Sequence, residues 1–153
     1  MKAGESVFLD TNILVYAVER DNPLHKKATA LMDRIITGKL STCLSPQIIG
    51  ELYSTITNPR KIMKACQPDE AVDIVRNIWE MNTILKIFPK QETLELTLRL
   101  AERYELKSLD FFDAQIVATM LDNEVTMIYT VNEDDFVVFE EIKVLNPLKL
   151  DTR

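Results

Sequence analysis

Short apolar segments alternate along this chain with longer stretches in which apolar residues recur every three or four positions. The short segments have the length and uninterrupted apolar character of strands buried on both faces, and the longer ones have the periodicity of amphipathic helices. Strands that alternate with helices join through right-handed crossovers into a parallel sheet covered by helices. The sequence therefore predicts an α/β fold, a three-layer α/β/α sandwich around a short central parallel sheet.

The expected boundaries of these elements follow from apolar runs and from turn and capping residues. Apolar runs predict strands at 6–9, 40–44, 84–88, 126–130 and 143–145. Helical spacing predicts helices at 13–19, from Asn22-Pro23 to Gly38, from Ser45-Pro46 to Asn58-Pro59, from Pro68 through Trp79, and at 91–104 and 109–121. Because no internal repeat or linker interrupts this pattern, we expect one domain over residues 1–153.

Length and composition are consistent with that expectation. The 153 residues are close to the commonest size of a single domain, and 3 Gly and 6 Pro leave little room for linkers. The first residues lack the apolar core of a signal peptide, and no apolar run is long enough to cross a bilayer. We therefore expect a cytoplasmic protein without a membrane partner.

The charge balance restricts the classes of function. A formal net charge of -6 argues against general binding to nucleic acid or an anionic membrane through a basic patch, so any polyanion must be bound locally. An acidic excess also fits a site where carboxylates surround a cation. The 1 histidine, His25, follows Pro23 at a helix start and is expected at the surface. This leaves little scope for histidine-based catalysis or a zinc site.

Oxygen-bearing side chains follow two of the predicted strands. Asp10 comes directly after the first strand, and Asn132 to Asp135 follow the strand that ends at Thr130. In open parallel sheets, ligands bind outside the carboxyl ends of the strands. These two chain segments are therefore expected to share a site.

Other acidic residues allow two interpretations. Asp110 suits a helix N-cap, and Asp113, three positions later, suits both a capping box and the helix dipole. Glu51 lies in a largely apolar helix, where it is either an exposed, solvated side chain or a half-buried carboxylate that needs a partner. Periodicity alone leaves the position of the Glu51 carboxylate open.

Four short motifs together resemble those of PIN-domain ribonucleases, and most closely those of VapC-type toxins. The motifs are Leu9-Asp10-Thr11-Asn12, Ile49-Gly50-Glu51-Leu52, Leu109-Asp110-Phe111-Phe112-Asp113-Ala114 and Thr130-Val131-Asn132-Glu133-Asp134-Asp135-Phe136. Each motif is too short to be specific, so the resemblance depends on their order, spacing and positions at strand ends and in helices. It extends over nearly the whole chain.

The resemblance implies a set of site residues. Asp10, Glu51 and Asp113 would be the principal metal ligands, with Asn132 and Asp135 at a more variable fourth position. Asp113 is preferred over Asp110, because Asp113 directly precedes Ala114 as the family's acidic residue does. Asn132 supplies an oxygen without charge, Asp135 could compensate for it, and the number of metal ions stays open. Polar side chains beside the ligands would orient them, and these are Thr11, Asn12 and Thr130.

The resemblance also implies an activity and partners. It implies endonucleolytic cleavage of single-stranded RNA by metal-activated water, with Mg²⁺ or Mn²⁺ as the ion that hard oxygen ligands favour. It further implies a homodimer and a small antitoxin that covers the acidic site. Arg60, Lys61 and Lys64 are the only tight basic group near the Glu51 helix, and they either contact phosphates or form an ordinary solvated turn.

Other functions fit the residues less well. A phosphatase of the haloacid-dehalogenase type needs a second aspartate two positions after the first, where this chain has Asn12. A nucleotide-binding loop needs clustered glycines, whereas the 3 Gly are isolated. Two alternatives within the family stay open: an RNA-processing nuclease without an antitoxin, and an inactive module that binds RNA or protein.

Overall fold

Five short parallel strands form one sheet in the computed structural model, which describes residues 2–149. Their bounds are β1 Val7–Leu9, β2 Thr42–Leu44, β3 Ile84–Lys86, β4 Met127–Tyr129 and β5 Lys143–Leu145. The strand order is β3-β2-β1-β4-β5, and every neighbouring pair is parallel. β1 is therefore the central strand, with β2 on one side and β4 on the other.

Six helices connect the strands. Their bounds are α1 Thr11–Val18, α2 His25–Ile36, α3 Pro46–Ile56, α4 Pro68–Trp79, α5 Thr93–Arg103 and α6 Asp110–Asp122, with short 3-10 turns at Ala3–Glu5 and Glu133–Asp135. Helix α1 packs on α2 and α3, and α5 packs on α6. The predicted α/β fold is confirmed, and the ends of the predicted domain, residues 1 and 150–153, lie outside the described residues.

The central strands are buried because their neighbours lie on both edges and helices cover both faces. Phe8 in β1 is fully buried and pairs with Cys43 and Ile128. Four of the five strands are shorter than predicted. At β1 the difference is at the start of the strand, because the strand begins at Val7 rather than Ser6. At its end the amide of Asp10 donates to the carbonyl of Tyr129 at 3.0 Å.

One prediction about a helix start needs correction. Helix α6 begins at Asp110 itself, and its N-cap is Leu109, so the prediction that Asp110 is the cap was wrong by one position. Such a shift does not change the direction of the helix. His25 is half-buried at the start of α2, where its Nδ1 lies 2.9 Å from the carbonyl of Tyr16. It is therefore a partly exposed residue, and one of its ring nitrogens contacts the backbone of α1.

The strand order determines where a ligand can bind. The first crossover leaves β1 toward β2, whereas the later strands β4 and β5 lie on the opposite side of β1. The order therefore reverses between β1 and β4, and a crevice opens at the carboxyl ends of those two strands. Within residues 2–149, no helix is long and apolar enough to span a membrane.

Packing of α3 is expected to depend strongly on Leu52, the fully buried neighbour of Glu51. Leu52→Ala should lower the free energy of unfolding by about 2–5 kcal/mol, because it removes apolar contacts and leaves a cavity. Urea denaturation measures this change. The matched control is Leu94→Ala in α5, where the side chain is 62% exposed and the expected change is within about 0.5 kcal/mol. Equal losses in both variants would contradict the packing described.

Candidate active site at the carboxyl ends of β1 and β4

An open cleft of about 1210 Å³ lies at the carboxyl ends of β1 and β4. The predicted ligand positions all line it, together with two of the predicted supporting residues: Asp10, Glu51, Asp113, Asn132, Asp135, Thr11 and Asn12. The third supporting residue, Thr130, is fully buried and contacts Asp10 through a hydrogen bond. The fold thus brings together residues from three helices and two strand ends.

Asp10 is held in place by three hydrogen bonds. It is the N-cap of α1, and its Oδ1 accepts from the amide of Thr11 at 2.8 Å. Its Oδ2 accepts from the hydroxyl of Thr130 at 2.7 Å and from the Asn12 amide at 3.1 Å. A carboxylate has about four acceptor positions, so one remains available toward the cleft.

The hydrogen bonds around Thr130 join the two strand ends. Because its hydroxyl donates to Asp10, the oxygen acts as an acceptor for the Asn12 amide at 3.2 Å and for the backbone amide of Asn132 at 3.0 Å. Asn12 in turn accepts from the amide of Val131 at 3.1 Å. The start of α1 is therefore fixed to the segment that follows β4.

Glu51 is half-buried and has two polar partners. Its Oε2 accepts from the Thr11 hydroxyl at 2.7 Å, and its Oε1 accepts from the side-chain amide of Gln47 at 2.9 Å. The same Gln47 amide lies 3.3 Å from the carbonyl of Phe112 in α6. Glu51 is therefore oriented toward the cleft and is not simply a solvated residue of the helix surface.

Gln47 is a site residue that the sequence reasoning missed. It lies four positions before Glu51, the spacing at which helical side chains are neighbours, and this spacing was the available signal. Its contact with Phe112 depends on how α3 and α6 pack, which the local sequence does not reveal.

Asp113 lies in the first turn of α6 and is electrostatically coupled to the other acids. Its pKa is raised to about 7, first by burial and then by the negative charges of Asp135, Asp10, Asp110 and Glu51. These charges disfavour the ionised form because like charges repel across a partly desolvated cleft. The negative charge of each of these four acids thus contributes to the raised pKa of Asp113.

The carboxyl groups of Asp10 and Asp135 also have raised pKa values. For Asp10 the main cause is burial, opposed by the hydrogen bonds from Thr130 and Thr11 and reinforced by Glu51 and Asp135. For Asp135 partial burial comes first, followed by the charges of Asp110 and Asp134. Several pKa values raised within one cleft are typical of functional sites.

The donor chemistry of the cleft fits a hard divalent cation. The candidate ligands supply only carboxylate and amide oxygens, which Mg²⁺ and Mn²⁺ prefer. Within residues 2–149, no three metal-binding side chains are already close enough together to hold an ion. Carboxylates 4 Å apart repel by about 4 kcal/mol per pair at an effective dielectric of 20, so a cation is needed to draw them together. The cleft therefore suits a divalent cation by the type and charge of its ligands. Movement of the side chains would bring their oxygens within bonding distance of the ion.

The three predicted basic residues are placed differently. Lys61 lines the cleft, whereas Lys64 lies 3.8 Å from Asp21 in an exposed ion pair. Arg60 is exposed and is not among the residues that line the cleft. The structure therefore separates this basic group, and only one of its members borders the acidic site.

Comparison with known proteins assigns the family. The family model described as "PIN domain" matches residues 7–144. The chain belongs to the PIN domain family, and ribonucleases of this family generally depend on a divalent metal ion.

Individual relatives are similar over nearly their whole length. The chain is 26% identical to "Ribonuclease VapC24" of Mycobacterium tuberculosis over 148 residues, which covers 94% of this chain and 97% of the relative. The crystal structure of M. tuberculosis VapC20, described as a sarcin-ricin loop cleaving toxin, matches with a TM-score of 0.64 at 18% identity over 85% of this chain and 92% of that one. A toxin–antitoxin complex from Klebsiella pneumoniae matches with a TM-score of 0.58 at 21% identity, covering 93% and 98%.

The coupling of Asp113 predicts how stability depends on pH. A carboxyl group whose pKa is raised from 3.8 to about 7 stabilises the fold below its unfolded pKa, and this contribution is lost as the pH rises through 7. In EDTA, Asp113→Asn should therefore reduce the loss of unfolding free energy between about pH 4 and pH 8. Denaturant titrations at several pH values measure this difference.

The control for this prediction is Asp33→Asn, at an exposed position in α2. It should leave the pH dependence of the parent protein nearly unchanged. Carbon-13 NMR of the Asp113 carboxyl group should give a midpoint near 7 in EDTA, and Asp135→Asn should lower it by removing a negative charge. A midpoint near 4 in the parent protein would contradict the coupling.

Proposed function

We propose that this protein is a divalent-metal-dependent endoribonuclease that cleaves single-stranded RNA and acts as the toxin of a toxin–antitoxin pair. The observation that carries the proposal is the placement of Asp10, Glu51 and Asp113 around one cleft at the reversal of strand order. Relatives named VapC ribonucleases, similar over nearly their full length, support the same activity.

We assign the metal ligands as Asp10, Glu51 and Asp113, with Asp135 and Asn132 at the fourth position. The ion is Mg²⁺ or Mn²⁺. When bound, it polarises the phosphodiester, lowers the pKa of a water molecule and stabilises the leaving oxygen. Cleavage leaves a 5′-phosphate and a 3′-hydroxyl.

The supporting residues orient the carboxylates. Thr130, Asn12 and the amide of Thr11 donate to Asp10, and these hydrogen bonds stabilise its charged form against the cost of burial. The hydroxyl of Thr11 and the side-chain amide of Gln47 donate hydrogen bonds to Glu51 and orient its carboxylate. Both proposed ligands are thereby held in place by hydrogen bonds from neighbouring residues.

Asp113 is the proposed ligand whose protonation state changes near neutral pH. With a pKa of about 7, its carboxyl group is close to half protonated at neutral pH in the absence of a cation. Binding of a divalent ion must displace that proton, so ion affinity should increase with pH across this range.

The partners follow from the same proposal. Solved relatives include toxin–antitoxin complexes, and we propose that a small antitoxin covers the cleft of this protein. We further propose a homodimer. RNA and an antitoxin would both be met in the cytoplasm, which we propose as its compartment.

Cleavage of single-stranded RNA in Mg²⁺ or Mn²⁺ tests the function. Asp10→Asn and Asp113→Asn should each lower the cleavage rate more than about 100-fold, beyond the loss typical of residues that only support a ligand. Asp110→Asn should retain more activity than Asp113→Asn. The matched control is Asp134→Asn, because Asp134 is an exposed neighbour of Asp135 that does not line the main cleft.

The products and the metal dependence complete the test. EDTA should stop cleavage, and products should carry 5′-phosphate ends. If the Asp10→Asn and Asp113→Asn variants cut RNA as fast as the parent, the ligand assignment is wrong. If the parent protein cuts no RNA in either metal, the inactive binding module becomes the better account.

A further inference from the structure

We propose that Gly50 and Phe112 form a subsite for one base of the RNA, beside the phosphate that is cut. The inference rests on the proposed nuclease function and deepens it. Two independent features carry it: a glycine that the fold does not require, and an exposed aromatic ring on the same cleft.

Gly50 lies in the interior of α3, where glycine is unfavourable relative to alanine. Its backbone is not in the left-handed region, because Gly38 is the one described glycine with a positive φ. A Cβ added at Gly50 would meet nothing within 4 Å, so no packed neighbour demands its absence. Gly50 lines the cleft. Close approach of a ligand to the helix backbone is a physical reason for a glycine at this position.

Phe112 lines the same cleft and is 50% exposed. The ring of Phe111 packs edge-on against it, with centroids 6.1 Å apart and planes at 84°. The Gln47 amide lies 3.3 Å from the Phe112 carbonyl and so anchors its backbone to α3. Phe112 is therefore a supported but uncovered aromatic ring. Such rings bind nucleobases by stacking, and they do so with little dependence on sequence.

The two residues are juxtaposed beside the proposed metal ligands. Gly50 directly precedes Glu51, and Phe112 directly precedes Asp113. Gln47 lies one helical turn before Gly50 on the same face of α3 and reaches across to Phe112. A phosphate held near Glu51 and Asp113 therefore has its own nucleotide within reach of both Gly50 and Phe112.

The charge of the cleft favours a base over a further phosphate. Six carboxylates line it, those of Asp10, Glu19, Glu51, Asp110, Asp113 and Asp135, and its single lining cation within residues 2–149 is Lys61. RNA can thus gain little affinity there from ion pairing with side chains. A neutral base face can stack without adding negative charge. We therefore expect a shallow salt dependence, with a slope of about -0.7 in log affinity against log salt for one neutralised phosphate.

The test is binding of a short fluorescent single-stranded RNA by fluorescence anisotropy in Ca²⁺, with KM and kcat measured separately in Mn²⁺. Phe112→Ala should raise Kd about 5- to 150-fold, the range that corresponds to loss of one stacked base. Phe112→Tyr should restore binding to within about threefold of the parent, because it keeps the aromatic face. The matched control is Phe88→Ala, an equally exposed phenylalanine (52%) after β3 that does not line the cleft.

The Gly50→Ala variant distinguishes an effect on RNA binding from an effect on the stability of α3. It should raise the Tm by about 2–4 °C, because alanine stabilises a helix interior. It should nevertheless raise KM for RNA, because its methyl group occupies the space of the base. A variant that is both more stable and weaker in RNA binding cannot be explained by loss of folding.

An abasic nucleotide shows whether the contact is to a base. When the abasic site is moved stepwise along the RNA, one position should weaken binding to the parent and leave binding to Phe112→Ala unchanged. If Phe112→Ala and Gly50→Ala bind intact RNA as tightly as the parent, or if only binding of a protein partner is weakened, the subsite is refuted while nuclease activity stands. A parent protein that binds with this abasic pattern but cuts no RNA refutes the nuclease and retains the subsite.

Discussion

The buried carboxylate of Asp10 is the interaction on which the rest of the site depends. A carboxylate removed from water is costly unless hydrogen bonds replace its hydration. Here the donors come from both sides of the strand reversal: the start of α1 provides Thr11 and Asn12, and the end of β4 provides Thr130. Satisfying this one group therefore joins two strand ends and sets the geometry of the cleft between them.

The clustering of carboxylates in the cleft lowers stability but serves the proposed function. The fold buries Asp113 among other carboxylates, and burial together with the repulsion between these charges raises the pKa of Asp113 to about 7. A divalent cation bound among these carboxylates would replace their repulsion with attraction, so the energetic cost of gathering them would become affinity for the ion. Lys61 is the single cation that lines the cleft within residues 2–149, which fits this view, because an ion bound among the acids would supply the positive charge that a polyanionic substrate needs.

Much of the fold could be predicted from the sequence, because alternation of apolar runs with helical periodicity is a local signal. The positions of Asp10 and Thr130 followed in the same way, since each is adjacent to a buried strand. Glu51 could not be placed by periodicity, because its contact with Thr11 depends on how α3 packs against α1. The family resemblance suggested it, and the structure shows that it borders the cleft.

What the sequence could not reveal depends on packing between distant segments. The link from Gln47 to the carbonyl of Phe112 joins residues 65 positions apart. The difference between Lys61, which borders the cleft, and Lys64, which pairs with Asp21, is likewise a matter of where a loop lies. Helix α6 begins one residue earlier than the capping residues indicated. Its N-cap is Leu109, and Asp110 is the first helical residue.

We propose above that Asp10, Glu51 and Asp113 together hold a divalent cation. Anomalous diffraction from crystals grown with Mn²⁺ tests it most directly, since it locates the ion independently of any activity. The account predicts an anomalous peak within bonding distance of carboxylate oxygens of all three residues, and no such peak in crystals of the Asp10→Asn variant. A peak elsewhere on the molecule, or an unchanged peak in that variant, would contradict it.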